Sequence, residues 1–148
     1  MSGEFSFIAR HFRPLAGPGS LDLRDDCALI SCPLGQELAI STDTMVENVH
    51  FLPDDPPETL GRKLLRCNLS DIAAMGATPY AYTLNVTIPR NSRYNDSWFS
   101  AFVAGLSEDQ ARYGVTLLGG DTTSISGPLV LSATVFGRLH KGTVKSAV

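Results

Sequence analysis

Residues 57–89 read PETLGRKLLRCNLSDIAAMGATPYAYTLNVTIP, and two periods follow one another along them. The first part predicts a long helix. Pro57 suits a first-turn position, Glu58 meets the positive end of the helix dipole, and Gly76 is a natural stop. The period then drops to two. Tyr80, Tyr82, Leu84, Val86 and Ile88 alternate with Ala81, Thr83, Asn85 and Thr87, which is a strand with one apolar face, closed by Pro89.

Working outward, Glu4–Arg13 carries Phe5, Ile8, Ala9 and Phe12 on one face of a short amphipathic helix. Pro14 to Leu23 reads as a loop. Two short apolar runs, Cys27–Ser31 and Leu38–Ile40, flank a Pro33-Leu34-Gly35-Gln36 turn and predict a hairpin. Beyond the central strand, Asp96 is placed to cap a helix carrying Phe99, Phe102, Val103 and Leu106, ending near Gly114. Strands follow at Val115–Leu118, which runs into Gly119-Gly120-Asp121-Thr122-Thr123, and at about Leu129–Phe136. The order is αββαβαββ, an α+β domain with a mixed sheet packed with helices.

Composition narrows the function classes. The chain has 148 residues, 12 Lys and Arg against 15 Asp and Glu, a net charge of −3 and 43% hydrophobic residues. That is too apolar for a disordered chain, and the acidic balance argues against a nucleic-acid partner. No apolar run approaches the roughly 20 residues that cross a bilayer, and Met1 to Arg13 lacks a signal-peptide layout. The expectation is a single cytoplasmic domain over residues 1–148. Cys27, Cys32 and Cys67 show no metal or disulfide spacing.

The acids are unevenly spread. Residues 1–71 hold eleven acids and six bases, and many of those acids sit beside Ser, Thr or another Asp. Asp25-Asp26, Asp43 in Ser41-Thr42-Asp43-Thr44, Asp71 and Asp121 stand out. Asp71 falls inside the stripe Leu60, Leu64, Cys67, Met75, four residues after Cys67 and four before Met75. A carboxylate facing a core is costly unless something positive meets it. Either the helix ends earlier, or Ser70 or Asn68 supplies a local hydrogen bond, or Asp71 binds a cation. Carboxylate and hydroxyl oxygens suit Mg²⁺, and Gly119-Gly120 lets backbone approach a phosphate, so together these segments favour a metal–phosphate site. There is no GxxxxGK[ST] loop. His50 reads as structural or functional, Trp98 as packing, and Arg62, Lys63 and Arg66 as a solvated helix face with phosphate contact as the alternative.

These motifs, in order, resemble the N-terminal half of the thiamine-monophosphate kinase family. The matching stretches are Gly3-Glu4-Phe5, Asp25-Asp26-Cys27-Ala28, Ile40-Ser41-Thr42-Asp43-Thr44, His50-Phe51, Asn68-Leu69-Ser70-Asp71-Ile72-Ala73-Ala74-Met75-Gly76-Ala77 and Gly119-Gly120-Asp121-Thr122-Thr123. The resemblance implies an N-terminal domain of the aminoimidazole ribonucleotide synthetase-like type, pairing sheets in a homodimer. It implies transfer of the ATP γ-phosphoryl group to thiamine monophosphate, with Mg²⁺. By motif, Asp26, Ser41, Thr42, Asp43, Asp71 and Asp121 resemble Mg²⁺ ligands, Gly120 and Asp121 the ATP-contacting turn, and His50 a substrate contact. Both reactants are phosphates, so no general base is required and metal ions neutralise the charge.

Arg24 and Asn48 replace glycines usual in the family, and Lys145 is the candidate for a basic ATP contact. The resemblance implies that the family's C-terminal domain is absent from this chain. An alternative is therefore a nucleotide-binding and dimerisation module without turnover, and a third reading is another ATP-using enzyme of the same superfamily.

Overall fold

The structure, a computed structural model, describes residues 3–144. Lys145 lies outside the described residues. A short helix α1 (Glu4–Phe7) widens into a π-helical turn at Ile8–Phe12 and a 3₁₀ turn at Arg13–Leu15. After a further 3₁₀ turn at Leu21–Leu23 come β1 (Gln36–Val46), α2 (Pro57–Ala74), β2 (Thr78–Pro89), α3 (Asp96–Tyr113), β3 (Thr116–Ile125) and β4 (Val130–His140). The sheet runs β1-β4-β2-β3. β4 is antiparallel to both neighbours, and β2 and β3 are parallel, with α3 as their crossover.

The helix and strand read from residues 57–89 form as expected. Pro57 opens α2, and the chain leaves it through Gly76 in the left-handed region at φ 74°. The cap of α3 is Asn95 rather than Asp96: the Asn95 side chain accepts from the Trp98 N–H at 3.0 Å, and Asp96 takes the first turn. Gly114, at φ 71°, ends that helix.

α2 and α3 lie on one face of the sheet. Leu64, Leu65, Ile72, Phe99, Phe102 and Leu106 meet Tyr82, Leu84, Val86, Leu131, Ala133 and Val135 in one core. Each large side chain so buried contributes about 1.5–3 kcal/mol. The helices touch backbone to backbone, because a Cβ on Gly61 would lie 2.5 Å from the Phe102 carbonyl oxygen and one on Gly105 only 2.1 Å from that of Glu58. The opposite sheet face carries Ile40, Thr42, Thr44, Ser132, Thr134 and Phe136, with Ile40 62% exposed. No helix of the described residues covers it.

Four expectations are corrected. Cys27–Ser31 is not a strand; it runs as exposed irregular chain, tied to the loop before it by the Leu29 N–H donating to Gly19 O at 2.7 Å. β1 extends past Ile40 to Val46, and β3 continues through Gly119-Gly120-Asp121, so Asp43 and Asp121 lie inside strands. The N-terminal helix buries Phe7, His11 and Phe12 and leaves Phe5 85% exposed, since a π-helical turn adds a residue per turn and rotates the buried face. On α2 the buried stripe is Leu60, Leu64, Asn68 and Ile72, while Cys67, Asp71 and Met75 are exposed.

Arg66 also departs from the solvated-face reading. Its guanidinium makes two bonds, at 2.9 and 3.0 Å, to Asp109 of α3, a carboxylate only 1% exposed. Arg62 reaches Glu108 at 2.6 Å, so the two helices are tied by charge on one side of the glycine contact.

Candidate functional site

Strand register sets the heights of the two acidic motifs. Thr44 pairs with Ser132, Ser132 with Asn85, and Asn85 with Asp121. Asp43, Ala133, Leu84 and Gly120 form the adjacent row. Ser41-Thr42-Asp43-Thr44 and Gly119-Gly120-Asp121-Thr122 therefore sit at one level of the sheet but on its opposite edges. Three strand steps of about 4.8 Å put them roughly 14 Å apart along the sheet.

At the β3 edge a cavity of about 240 Å³ is lined by Asp25, Asp26, Gly119, Gly120, Asp121 and Thr122, with Phe5, Ile8, Phe12 and Leu84 as apolar lining. The glycine before Asp121 is dictated by sterics. A Cβ on Gly120 would lie 1.7 Å from the Leu84 carbonyl oxygen, so β3 approaches β2 here as no other residue allows. Asp121 Oδ1 accepts from the Thr122 N–H at 3.0 Å. The loop carrying Asp25 and Asp26 reaches this edge because Gly19, at φ 88°, lies against the Leu29 carbonyl.

At the β1 edge the donors come from β1 and α2. Ser41 Oγ lies 3.1 Å from Asn68 Oδ1 and 3.3 Å from Asp71 Oδ2. Asp43, two residues along the same strand face, accepts from the Thr44 N–H at 2.9 Å. Thr42 points to the other face, donating to Ala133 O at 3.2 Å and accepting from Thr134 Oγ1 at 3.0 Å. Beyond β1, Asn48 takes φ 65° and its N–H donates to Phe51 O at 2.7 Å, closing a tight turn that asparagine tolerates. His50 Nδ1 accepts from the Val46 N–H at 3.0 Å, so the neutral ring carries its proton on Nε2. Lys63 Nζ donates to His50 O at 2.8 Å.

The structure thus joins Asp26 with Asp121, and Ser41 with Asp71 and Asp43, and keeps the two groups apart. Thr42 faces away from Ser41. Among the described residues no three His, Cys, Asp or Glu side chains come together as a ready ion cage. The donors are hard oxygens throughout, and Mg²⁺ takes one or two carboxylates with substrate phosphates rather than an all-protein cage, so each group fits that ion in chemistry and number. Sequence reasoning missed the wall residue Thr122, and it named Asn68 and Lys63 with other partners: Asn68 meets Ser41, and Lys63 donates to the His50 carbonyl. The spacing Leu64, Asn68, Ile72 was the available signal for Asn68, since it continues the buried stripe four residues at a time.

The docking of the N-terminal segment is part of this site, because Phe5, Ile8 and Phe12 line the cavity. The buried His11 ring packs against Phe7 at 4.8 Å, and its Nε2 lies 3.0 Å from Asp96 Oδ1; Arg10 pairs with the same carboxylate. The His11 hydrogen bond, with the Arg10 charge, holds the Asp96 carboxyl below the usual carboxylate range. No helix of the described residues is long and apolar enough to cross a membrane.

Residues 24–139 match the family model AIR synthase related protein, N-terminal domain. The chain is 47% identical over 141 residues to thiamine-monophosphate kinase of Caulobacter vibrioides, across 94% of this chain and 40% of that one. It therefore spans about two fifths of the length of the curated relatives it matches. Among solved structures, thiamine-monophosphate kinase from Stenotrophomonas maltophilia K279a superimposes with TM-score 0.72 at 38% identity, over 81% of this chain and 36% of that one. AaThiL complexed with AMPPCP and TMP gives TM-score 0.68 at 26% identity, over 78% and 36%.

Proposed function

The chain belongs to the AIR synthase related protein family, N-terminal domain, and from that premise we propose that it is the nucleotide-binding part of a cytoplasmic kinase transferring the ATP γ-phosphoryl group to thiamine monophosphate. The observation that carries the reading is the pair of oxygen-donor groups at one level of the sheet. One holds Asp26, Gly120 and Asp121; the other holds Ser41, Asp43 and Asp71. A nucleoside triphosphate in line with a phosphate acceptor is an extended polyanion, and two separated donor groups suit it better than one cage. The likeness to thiamine-monophosphate kinases supports the choice of substrate.

On this reading Mg²⁺ bound at these oxygens supplies charge neutralisation for donor and acceptor phosphates. Gly120, required by the close approach of β3 to the Leu84 carbonyl, holds the Gly120-Asp121 backbone at the cavity wall where a phosphate would sit. His50, with its proton on Nε2, offers a hydrogen-bond donor to the acceptor phosphate. The acceptor oxygen is already anionic, so no side chain here need act as a base. The bare sheet face, with Ile40 exposed, supports pairing with a second copy.

A second reading is a nucleotide-binding and dimerisation module without turnover. It is favoured by the separation of the two donor groups on opposite edges of the sheet. Incubating the chain with MgATP and thiamine monophosphate, and following ADP and thiamine diphosphate, separates the two. Thiamine diphosphate formed above a no-enzyme control supports the kinase. Mg²⁺-dependent AMPPCP binding without turnover supports the module, and neither binding nor turnover overturns both.

A further inference from the structure

We propose that Asn68 is a positioning residue that keeps the Ser41 hydroxyl turned away from Asp71, so that both present lone pairs to a divalent cation. This rests on the metal-dependent reading above. Asn68 is fully buried on α2. Its Nδ2 donates towards two carbonyl oxygens, Leu64 O at 3.3 Å and Ala133 O at 3.4 Å. Both are acceptors, so the amide nitrogen must face them and Oδ1 must face Ser41. A hydroxyl has one hydrogen, and Ser41 Oγ has two acceptors in reach, Asn68 Oδ1 at 3.1 Å and Asp71 Oδ2 at 3.3 Å. A cation shared by Asp71 Oδ2 and Ser41 Oγ leaves Asn68 Oδ1 as the acceptor for that hydrogen, so the buried amide lets the hydroxyl present a lone pair to the ion.

The buried amide has no other task that requires it. Leu64 lies inside α2, whose backbone ladder supplies its carbonyl with a donor, and Ala133 O already accepts from Thr42 Oγ1 at 3.2 Å. A leucine at 68 would simply continue the apolar stripe of Leu60, Leu64 and Ile72. It would also release the Ser41 hydrogen to Asp71, where it competes with the cation.

The test is Mn²⁺ alone, titrated into the full chain and followed by the free-ion paramagnetic resonance signal. Four proteins are compared: wild type, Asn68→Leu, Ser41→Ala and the double variant. Asn68→Leu is expected to weaken Mn²⁺ binding about 10-fold, as losses of groups that orient metal ligands do. In the Ser41→Ala background the same change is expected to cost less than about 2-fold, because the effect runs through Ser41. Circular dichroism checks folding, and if Asn68→Leu does not fold the cycle is run with Asn68→Ala on the same expectation. Wild-type affinity in the Asn68 variant, or an equal loss in both backgrounds, overturns the proposal while leaving the metal reading standing. A wild-type chain that takes up no Mn²⁺ overturns the metal reading, and this proposal with it.

Discussion

Gly105→Ala is the substitution whose outcome follows most directly from the packing. Ordinary contact for an added Cβ begins at 3.4 Å, and at Gly105 it would meet the Glu58 carbonyl oxygen at 2.1 Å, a shortfall of 1.3 Å. The Glu58 carbonyl carbon and Cα follow at 2.8 and 2.9 Å, so the obstacle is backbone and no rotamer change relieves it. Either α2 and α3 separate, loosening Leu64, Phe102 and Leu106, or α3 bends. Overpacking of this kind costs about 1–3 kcal/mol, and rigid backbone on both sides argues for the upper part of that range. Alanine returns about 1 kcal/mol in helix propensity. The net expectation is destabilisation by about 1–2 kcal/mol, a Tm fall of about 3–8 °C for a chain of this size. Urea unfolding of wild type and Gly105→Ala, with the exposed Ser107→Ala as a control, measures it. A Gly105→Ala midpoint at or above wild type would mean that helix propensity outweighs the contact, refuting the backbone-to-backbone crossing.

Two further outcomes follow from charge. Arg66→Met should destabilise more than Asp109→Asn in the same urea assay, because the first strands a carboxylate that is 1% exposed while the second leaves the half-exposed arginine to water. Asp96 is held below the usual carboxylate range in the folded chain, so its stabilisation is complete above the unfolded value near 4 and is lost as pH falls through the folded one. The Tm difference between wild type and Asp96→Asn should therefore shrink as pH falls below about 4; a difference that stays undiminished through that range contradicts the pairing.

Much of the fold was legible because its periods are local. The 57–89 stretch announces α2 and β2, with Gly76 and Pro89 at their ends, and Gly114 marks the end of α3. The hairpin at Cys27–Ser31 was misread because a five-residue apolar run has no period of its own, and its partner turned out to be Gly19 in the preceding loop. Asp71 was assigned to a core stripe through Cys67 and Met75, when the stripe passes through Asn68 one position on. A helix turns 100° per residue, so a one-residue error in phase exchanges the exposed Cys67 and Asp71 for the buried Asn68 and Ile72. The site motifs were legible as chemistry but not as geometry. Their separation on two sheet edges depends on the order β1-β4-β2-β3, in which the last strand of the chain inserts between the first two, and nothing local in Leu129–Phe136 reports that. The Arg66–Asp109 pair, 43 residues apart, is set by the helix crossing.

The central claim, that both sheet edges serve one Mg²⁺-dependent nucleotide site, meets its most direct test in calorimetric titration of AMPPCP into the full chain, with and without Mg²⁺, for wild type, Asp71→Asn and Asp121→Asn. Binding should require Mg²⁺ and weaken at least about 10-fold in each variant, with circular dichroism unchanged. Binding that ignores Mg²⁺, or that survives both substitutions at wild-type strength, would contradict the account.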